Sequence, residues 1–377
     1  MRLFIISLFL ICKAFAIETI ADGITYEVRK TDEPLTIHIL RVDPTKIIIR
    51  PVHALNNGFG CESTSHIAKR MGALAAINGG FFKMAGTLKG APAGILKINS
   101  EWYSLPHKPR GAAAWNELDG ALTVDRVVAE AKVHIGPTIV RTDNLNSERG
   151  DSQAVLFTPA FHRTSLTNPG GKELVVKKQH LVDIKQGIND SKIPSHGFVL
   201  SVGRYHPLFN ATYRLHDPAS FEILVTPLLD AGRESNRIWR EAQHIIGGTP
   251  VLIKNNAPLK TFSDEQVQET FLTKKHPRTA IGTCGDGTWV FVVVDGRSTL
   301  SSLGMTMLEL QKLMIDLGCT QALNLDGGAS STMTIKDQVV NVPSGGYDDN
   351  QDLPEIDVSD AIVLLPKQFI PELIESK

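Results

Sequence analysis

Three times along this chain an apolar run is cut by a pair of glycines and then resumes, at 74–82, 245–253 and 322–335. The segments read "ALAAINGGFF", "HIIGGTPVLIKNN" and "QALNLDGGASSTM". Runs of this length and composition form short strands. Paired glycines end them where the backbone must turn tightly or let another group come close. The chain is therefore expected to fold from short strands joined by tight turns. Three loose matches do not establish an internal repeat.

The remaining elements follow from their own patterns. "ITYEVRK" and "LTIHILRVDPTKIIIRPVHA" read as strands, the latter pair joined at Asp43-Pro44. "STSHIAKRMG" reads as a short helix capped by Ser63 or Ser65 and closed by Gly72. "AGILKINSEWYSL" predicts a hairpin around Asn99-Ser100, and "RTAIGTCGDGTWVFVVVDG" another with a Gly-Asp-Gly turn. "TMLELQKLMIDLGC" is the clearest helix, with a Thr306/Glu309 capping box and an apolar stripe of Leu310, Leu313, Met314 and Leu317. "STMTIKDQVV" reads as a further hairpin and "VSDAIVLL" as a last strand. From about 107 to 240 the pattern is β-rich, with indistinct boundaries. Strands outnumber helices and lie in hairpins, so the expectation is an α+β fold. It comprises a mixed, largely antiparallel sheet with a few packed helices in a single large domain over 17–377. N-terminal strands occupy 17–60 and a motif-bearing core about 61–366.

Composition narrows the function classes. The chain has 377 residues and a formal net charge of −1, so no strongly basic surface points to nucleic acid. "MRLFIISLFLICKAFA" has a basic start, an apolar run from Leu3 to Cys12 and an A-x-A site, the pattern of a secretory signal peptide over 1–16. The run is too short to span a bilayer. The expected location is secreted or extracytoplasmic, with no stable membrane span. Cys61, Cys284 and Cys319 then remain, which permits one disulfide at most.

Residues that can carry chemistry gather at the strand ends. Asp326 follows an apolar run and precedes Gly327, Gly328, Ala329 and Ser330. An acid there can simply cap a turn. Two other strand ends, however, carry Asn78-Gly79-Gly80 and Asp295-Gly296-Arg297-Ser298. Glycines let backbone N–H groups approach a ligand. Carboxylate, carboxamide and guanidinium at such ends make a polar pocket suited to a sugar or a phosphorylated sugar. In "KKHPRTAIG", Arg278 can bind phosphate oxygens in bidentate fashion and His276 can donate to a phosphate or a leaving oxygen. Lys274 and Lys275 read as a solvated edge, and Phe81 and Phe82 as core rather than sugar platform. The acidic "YDDNQD" at 347–352 lacks EF-hand spacing. No G-x-S-x-G elbow, H-E-x-x-H or P-loop is present. His53, His66, His107, His162 and His196 are scattered and receive no role.

"AAINGGFF", "HPRTAIG", "VVVDGRS" and "LGCTQALNLDGGASSTM" together resemble the phosphodiester glycosidase family. "STSHIAKRMGALAAINGGFF" and "AGILKINSEWYSLPHKPRGAAAW" are similar to its exported bacterial branch. The resemblance runs from roughly residue 20 to 365. It implies hydrolysis of a sugar-1-phosphodiester at the sugar side, acting on a phosphorylated glycan or glycoconjugate, with no cofactor and no metal. On that reading Asp326, then Asp295, are the candidate catalytic carboxylates, and Asn78 holds a sugar hydroxyl or orients the acid. Arg278, His276, Arg297, Gly79, Gly80, Gly327, Gly328 and Ser330 form the substrate- and phosphate-binding set. One departure is visible: family members often carry a third glycine where this chain has Ala329. Two other readings use the same residues, a non-catalytic glycan-binding module and a metal-dependent phosphodiesterase with Asp295 and Asp326 on one cation. Assay with and without chelator separates the latter.

The N-terminal pattern predicts that the mature chain begins near Ile17. Mass spectrometry of protein recovered outside the cytoplasm checks this, and an intact Met1 there would refute it.

Overall fold

The computed structural model describes residues 16–31, 33–56, 58–187, 189–345 and 355–367. The signal-like segment before residue 16 and the acidic loop at 347–352 lie outside the described residues.

Four main sheets carry the architecture. The first has eight strands in the order Ile17–Ala21, Ile24–Lys30, Thr36–Val42, Trp289–Val294, Arg278–Cys284, Cys319–Asn324, Val251–Lys254 and Ala257–Pro258. In the second, the central path runs Thr138–Thr142, Thr123–Ile135, Arg110–Trp115, His244–Gly247, Leu96–Ile98 and Glu101–Ser104. Ala219–Pro227 also pairs with its long strand Thr123–Ile135. A five-stranded sheet gathers Ala154–Phe157, Gly197–Val202, Lys172–Lys177 and their neighbours. Another places Ala75–Asn78 between Met333–Ile335 and Asp360–Pro366.

The expected α+β class is corrected by this structure. Among the described residues strands make up 44% and helices 13%, with four α-helices, so the fold is mostly β with several antiparallel sheets. The physical reason lies largely in the middle of the chain. The stretch from about 107 to 240 supplies nine strands, including the 13-residue strand Thr123–Ile135, which pairs along both edges. Among the described strand pairs, Asn144–Leu145 with Ala154–Phe157 is parallel, and the rest are antiparallel. The expected turn at Asp43-Pro44 also does more than close a hairpin: Thr36–Val42 joins the eight-stranded sheet, whereas Ile47–His53 joins the sheet of Asp360–Pro366.

The helices form where the sequence pattern was strongest. Helix α1 (Thr64–Met71) is capped by the Ser63 hydroxyl, which accepts from the His66 N–H, and ends at Gly72 with φ +62°. Helices α2 (Arg233–Glu241) and α3 (Glu269–Thr273) have weak sequence signals. Helix α4 (Met307–Asp316) has the reciprocal Thr306/Glu309 capping box. Its Leu310, Leu313 and Met314 are buried against Ala280, Val290 and Val292 of the eight-stranded sheet. Gln311, within the buried face, donates to the carbonyls of Leu252 (2.8 Å) and Leu259 (3.0 Å) and so satisfies its amide.

The main core lies between sheets. Ile77, Ile246 and Leu323, one from each strand that ends in Gly-Gly, share a single apolar cluster with Trp115 and Trp289. The two indoles meet edge-on at 5.4 Å, and their N–H groups donate to Ile49 and Gly120 carbonyls. Burying each aliphatic side chain contributes about 1.5–3 kcal/mol. The same packing brings the three glycine turns to one place.

Losing the α4 cap should leave orphan N–H groups at its first turn. Thr306→Ala is expected to lower stability by about 1 kcal/mol in urea unfolding, with the unfolding slope unchanged.

Candidate active site

The site is built on Asn78, the last residue of the strand Ala75–Asn78. Its side chain is fully buried. Nδ2 donates to the Asp326 carbonyl at 2.8 Å, while Oδ1 accepts from Thr279 Oγ1 at 2.7 Å and from the Thr332 N–H at 3.2 Å. The Asp326 N–H donates to the Gly79 carbonyl at 3.2 Å. One carboxamide thus ties the first glycine turn, the strand from Arg278 and the 326–332 turn together.

Asp326 stands at the partly open end of this clamp. Its Oδ1 accepts from the Gly327 N–H at 2.9 Å and its Oδ2 from Ser330 Oγ at 2.7 Å. Gly328 takes φ +64°, and an added Cβ would come within 2.9 Å of Arg297 Nη2. Ala329 lies in the short 3-10 turn Gly328–Ser330 and does not adopt a positive φ, so the missing third glycine costs no backbone strain.

A second carboxylate, absent from the sequence reading, sits beside the first. Asp360 opens the strand Asp360–Pro366 and is buried. Its Oδ1 accepts from the Gly80 N–H at 2.8 Å, and the Ser359 hydroxyl donates to its Oδ2. An added Cβ on Gly79 would lie 1.9 Å from Asp360 Oδ1, which explains that glycine. Burial pushes both acids up to about 6, and the Asp360 charge adds to the rise at Asp326. Hydrogen bonds from Ser330 and Gly327 oppose it at Asp326, and those from Ser359 and Gly80 at Asp360. Because the unfolded acids ionise first, near 3.8, the pair costs folding stability that accumulates as pH rises through about 6. The one sequence signal for Asp360 was an acid at the head of an otherwise apolar strand.

Asp295 occupies a different setting. It is 4% exposed, with Oδ2 facing His38 Nε2 at 3.2 Å. Its Oδ1 accepts from Asn341 Nδ2 (3.1 Å) and the Val342 N–H (3.0 Å). Asn341 also donates to the Ser331 carbonyl, so Asp295 braces the far side of the Asp326 turn. Arg278 is 1% exposed and stacks over Phe271 at 4.7 Å. Its guanidinium donates to the carbonyls of Met305, Phe271 and Lys274, pinning α3. Arg297 is exposed, reaches Ser344 Oγ at 3.4 Å and lies over Gly328. The half-buried His276 imidazole is held below its ordinary value by burial and by Arg278, Arg297 and Lys274.

A cleft of about 460 Å³ begins where the Gly80 turn continues into Phe81 and Phe82. Its wall includes Phe271, Gly248, Lys108 and Arg110. The glycines here allow backbone contact between turns: a Cβ on Gly80 would meet the Gly247 carbonyl at 2.9 Å, and one on Gly248 the Asn324 carbonyl at 2.3 Å. Lys108 Nζ donates to Gln266 Oε1 at 3.1 Å, and Arg110 Nη1 to the Glu265 carbonyl. The sequence reading missed both cations, although "HKPRG" lay within a segment it singled out. Among the described residues no cluster of three His, Cys, Asp or Glu is placed to hold a metal ion, and no helix is long and apolar enough to cross a membrane.

An uncharacterized protein of Rickettsia conorii is 28% identical over 232 residues, 61% of this chain and 77% of that protein. Bovine N-acetylglucosamine-1-phosphodiester alpha-N-acetylglucosaminidase is 29% identical over 115 residues, which cover 28% of this chain and 21% of the enzyme's length. The crystal structure of a hypothetical protein from Synechocystis shares the fold, with a TM-score of 0.77 at 22% identity; the match covers 94% of this chain but 64% of that one. Residues 171–365, which contain Arg278, Asp295, Asp326 and Asp360, match the phosphodiester glycosidase family model, and the chain belongs to that family.

Proposed function

We propose that this chain hydrolyses the glycosidic bond of a sugar-1-phosphodiester, releasing the sugar and a phosphomonoester, and that it does so outside the cytoplasm. The observation that carries the reading is the Asp326/Asp360 pair, a half-buried and a buried acid held at a glycine-built strand end whose next residues, Phe81 and Phe82, line a cleft shared with Lys108, Arg110 and Phe271. Buried like-charged acids cost stability and cluster at catalytic sites. A purely structural turn has no use for them. The basic start and A-x-A site of residues 1–16 support export.

The chemistry follows from the leaving group. A phosphodiester departs as a stable anion, so the C1–O bond can break with its electron pair passing to the phosphate oxygen and little protonation is needed. One ionised carboxylate then suffices to meet the developing oxocarbenium ion, as base for water or as nucleophile. Asp326, the more open of the two, takes that role. Asp360 keeps its neighbour's affinity for protons high, and through Gly80 it holds the turn. The Arg278 guanidinium is engaged by three carbonyls, so the phosphate is assigned to Lys108 and Arg110, with Arg297 beside the Asp326 turn. Phe81 and Phe271 line the cleft in which the sugar would lie. The oxygens of Asp295 accept N–H donors from Asn341 and Val342 and face His38, which disfavours a cation shared with Asp326.

N-acetylglucosamine-1-phosphodiesters are the first substrates to test, given the bovine relative. Asp326→Asn keeps the side chain's size and removes its charge. Its kcat should fall by roughly a hundred- to several-thousand-fold, about 3–5 kcal/mol, with little change in substrate binding. A folded variant with near-normal turnover would exclude Asp326 as the catalytic group. Wild-type protein inert towards every sugar-1-phosphodiester would exclude the activity.

The pH profile tests the pair. If Asp326 acts ionised, kcat/KM should decline as pH falls through about 6. Asp360→Asn removes the neighbouring charge and should move that limb to lower pH, while burial keeps it above the ordinary aspartate value. A limb that stays in place, or moves upward, would refute the coupling.

A further inference from the structure

The fold treats the three cysteines beyond residue 16 unequally. Cys284 ends the strand Arg278–Cys284, and Cys319 opens the strand Cys319–Asn324. These strands are neighbours in the eight-stranded sheet, and the two cysteines face each other across them. Cys61 precedes the short strand Glu62–Ser63, which pairs with Asp357–Val358 instead. All three are free thiols in this structure.

Facing residues of antiparallel strands have Cα atoms about 4.5–5.5 Å apart, inside the range of about 4.4–6.8 Å that a disulfide spans. The register skips Thr320 here, and Thr320 Oγ1 donates to the Thr283 carbonyl at 3.1 Å. Both sulfurs lie on one face of the sheet, packed in the same apolar cluster as Leu313, Met314 and Leu317 of the α4 region. Each also rests against the other's strand. A Cβ added to Gly282 would come within 3.0 Å of Cys319 Sγ, and one on Gly318 within 3.8 Å of Cys284 Sγ. Glycine on both flanks leaves the space in which the sulfurs meet. Burial pushes the Cys319 thiol up, and the adjacent Cys284 thiol adds to the rise. The Cys284 thiol donates to the Leu317 carbonyl at 3.5 Å. That carbonyl also accepts from Arg41 Nη2 at 3.2 Å, so turning the sulfur towards Cys319 leaves it satisfied.

We infer that Cys284 and Cys319 are a dithiol site that a disulfide oxidant closes into a cross-strand bond outside the cytoplasm. Cys284 is half-buried beside the exposed turn 285–287, whereas Cys319 is buried, so an oxidant in solution reaches Cys284 first. Cys284 loses its proton and its sulfur attacks the oxidant's disulfide, which forms a mixed disulfide and releases one oxidant thiolate. Cys319 then loses its proton, attacks Cys284 Sγ and expels the oxidant's second sulfur as thiolate. Two cysteine thiols are oxidised to one disulfide, and one oxidant disulfide is reduced to two thiols. The bond closes the chain between 284 and 319 into a loop that contains Asp295, Arg297 and α4. It also fastens the start of the strand that leads to Asp326, and it stabilises the protein by restricting the unfolded chain. Cys61 keeps its thiol. The inference rests on the export reading, because the cytoplasm holds such pairs reduced.

Peptide mapping tests the bond. Protein recovered outside the cytoplasm is denatured, alkylated without reduction and digested with trypsin. The peptides 279–297 and 313–336 should appear as one linked species, with Cys61 alkylated. Protein made in the cytoplasm and purified reduced should form the same link when incubated, still folded, with oxidised glutathione. That link in a chain that never leaves the cytoplasm supports the site, and the export reading alone fails. Alkylated Cys284 and Cys319 in protein recovered outside, or thiols that oxidised glutathione leaves unlinked, overturn the site while leaving export intact. Melting scans assign the bond independently. Reductant should lower Tm by about 5 °C in the linked wild-type and Cys61→Ser proteins and leave Cys284→Ser unmoved. A response that persists in Cys284→Ser and vanishes in Cys61→Ser would also overturn the inference.

Discussion

The Asn78 carboxamide is the interaction on which the rest of the site depends. It joins segments separated by some 250 residues of sequence by accepting two hydrogen bonds and donating one to the carbonyl of the acid itself. A buried amide with these bonds made contributes modestly to stability. With one partner missing it would carry a desolvation cost of about 1–3 kcal/mol. That asymmetry makes the arrangement close to all-or-none: the Asp326 turn is either seated on Asn78 or badly placed. Asp295 acts from the opposite side through Asn341 and the Ser331 carbonyl. The turn that presents Asp326 is therefore braced at both ends by buried polar groups.

The glycines follow from this convergence. Each apolar strand delivers an aliphatic side chain to the shared core, and the turn beyond it must then fit where three backbones and two acids meet. Gly79 is excluded from carrying a side chain by Asp360, and Gly80 and Gly248 by neighbouring carbonyls. Core packing and site geometry are coupled, because the strands that bury Ile77, Ile246 and Leu323 also aim the turns.

Burying two neighbouring acids works against folding above pH 6, and the fold tolerates it through the surrounding N–H and hydroxyl donors. The cations are arranged differently. Arg278 is committed to carbonyls beneath the site, whereas Lys108 and Arg110 reach the cleft and Arg297 lies at the surface beside the acid. This layering separates the arginine that pins α3 beneath the site from the cations that line the cleft and the surface beside the acid.

Local patterns determined a good deal by themselves. The capping box and stripe of α4, the Ser63 and Gly72 ends of α1, and the hairpins at Asn99-Ser100 and Gly285-Asp286-Gly287 all rest on contacts within a few residues, so the sequence displays them directly. The glycine pairs likewise marked where backbones would crowd, and the family motifs lay in the same segments. Three things were decided only by tertiary structure. The strands in the middle of the chain pair with distant partners, which no local period reveals. Asp360 is a neighbour of Asp326 only because the last strand lies against Ala75–Asn78. Lys108 and Arg110 became part of the cleft, and Arg278 part of its foundation, because burial and hydrogen-bond partners assign a charged side chain its task, and these depend on residues far away in sequence.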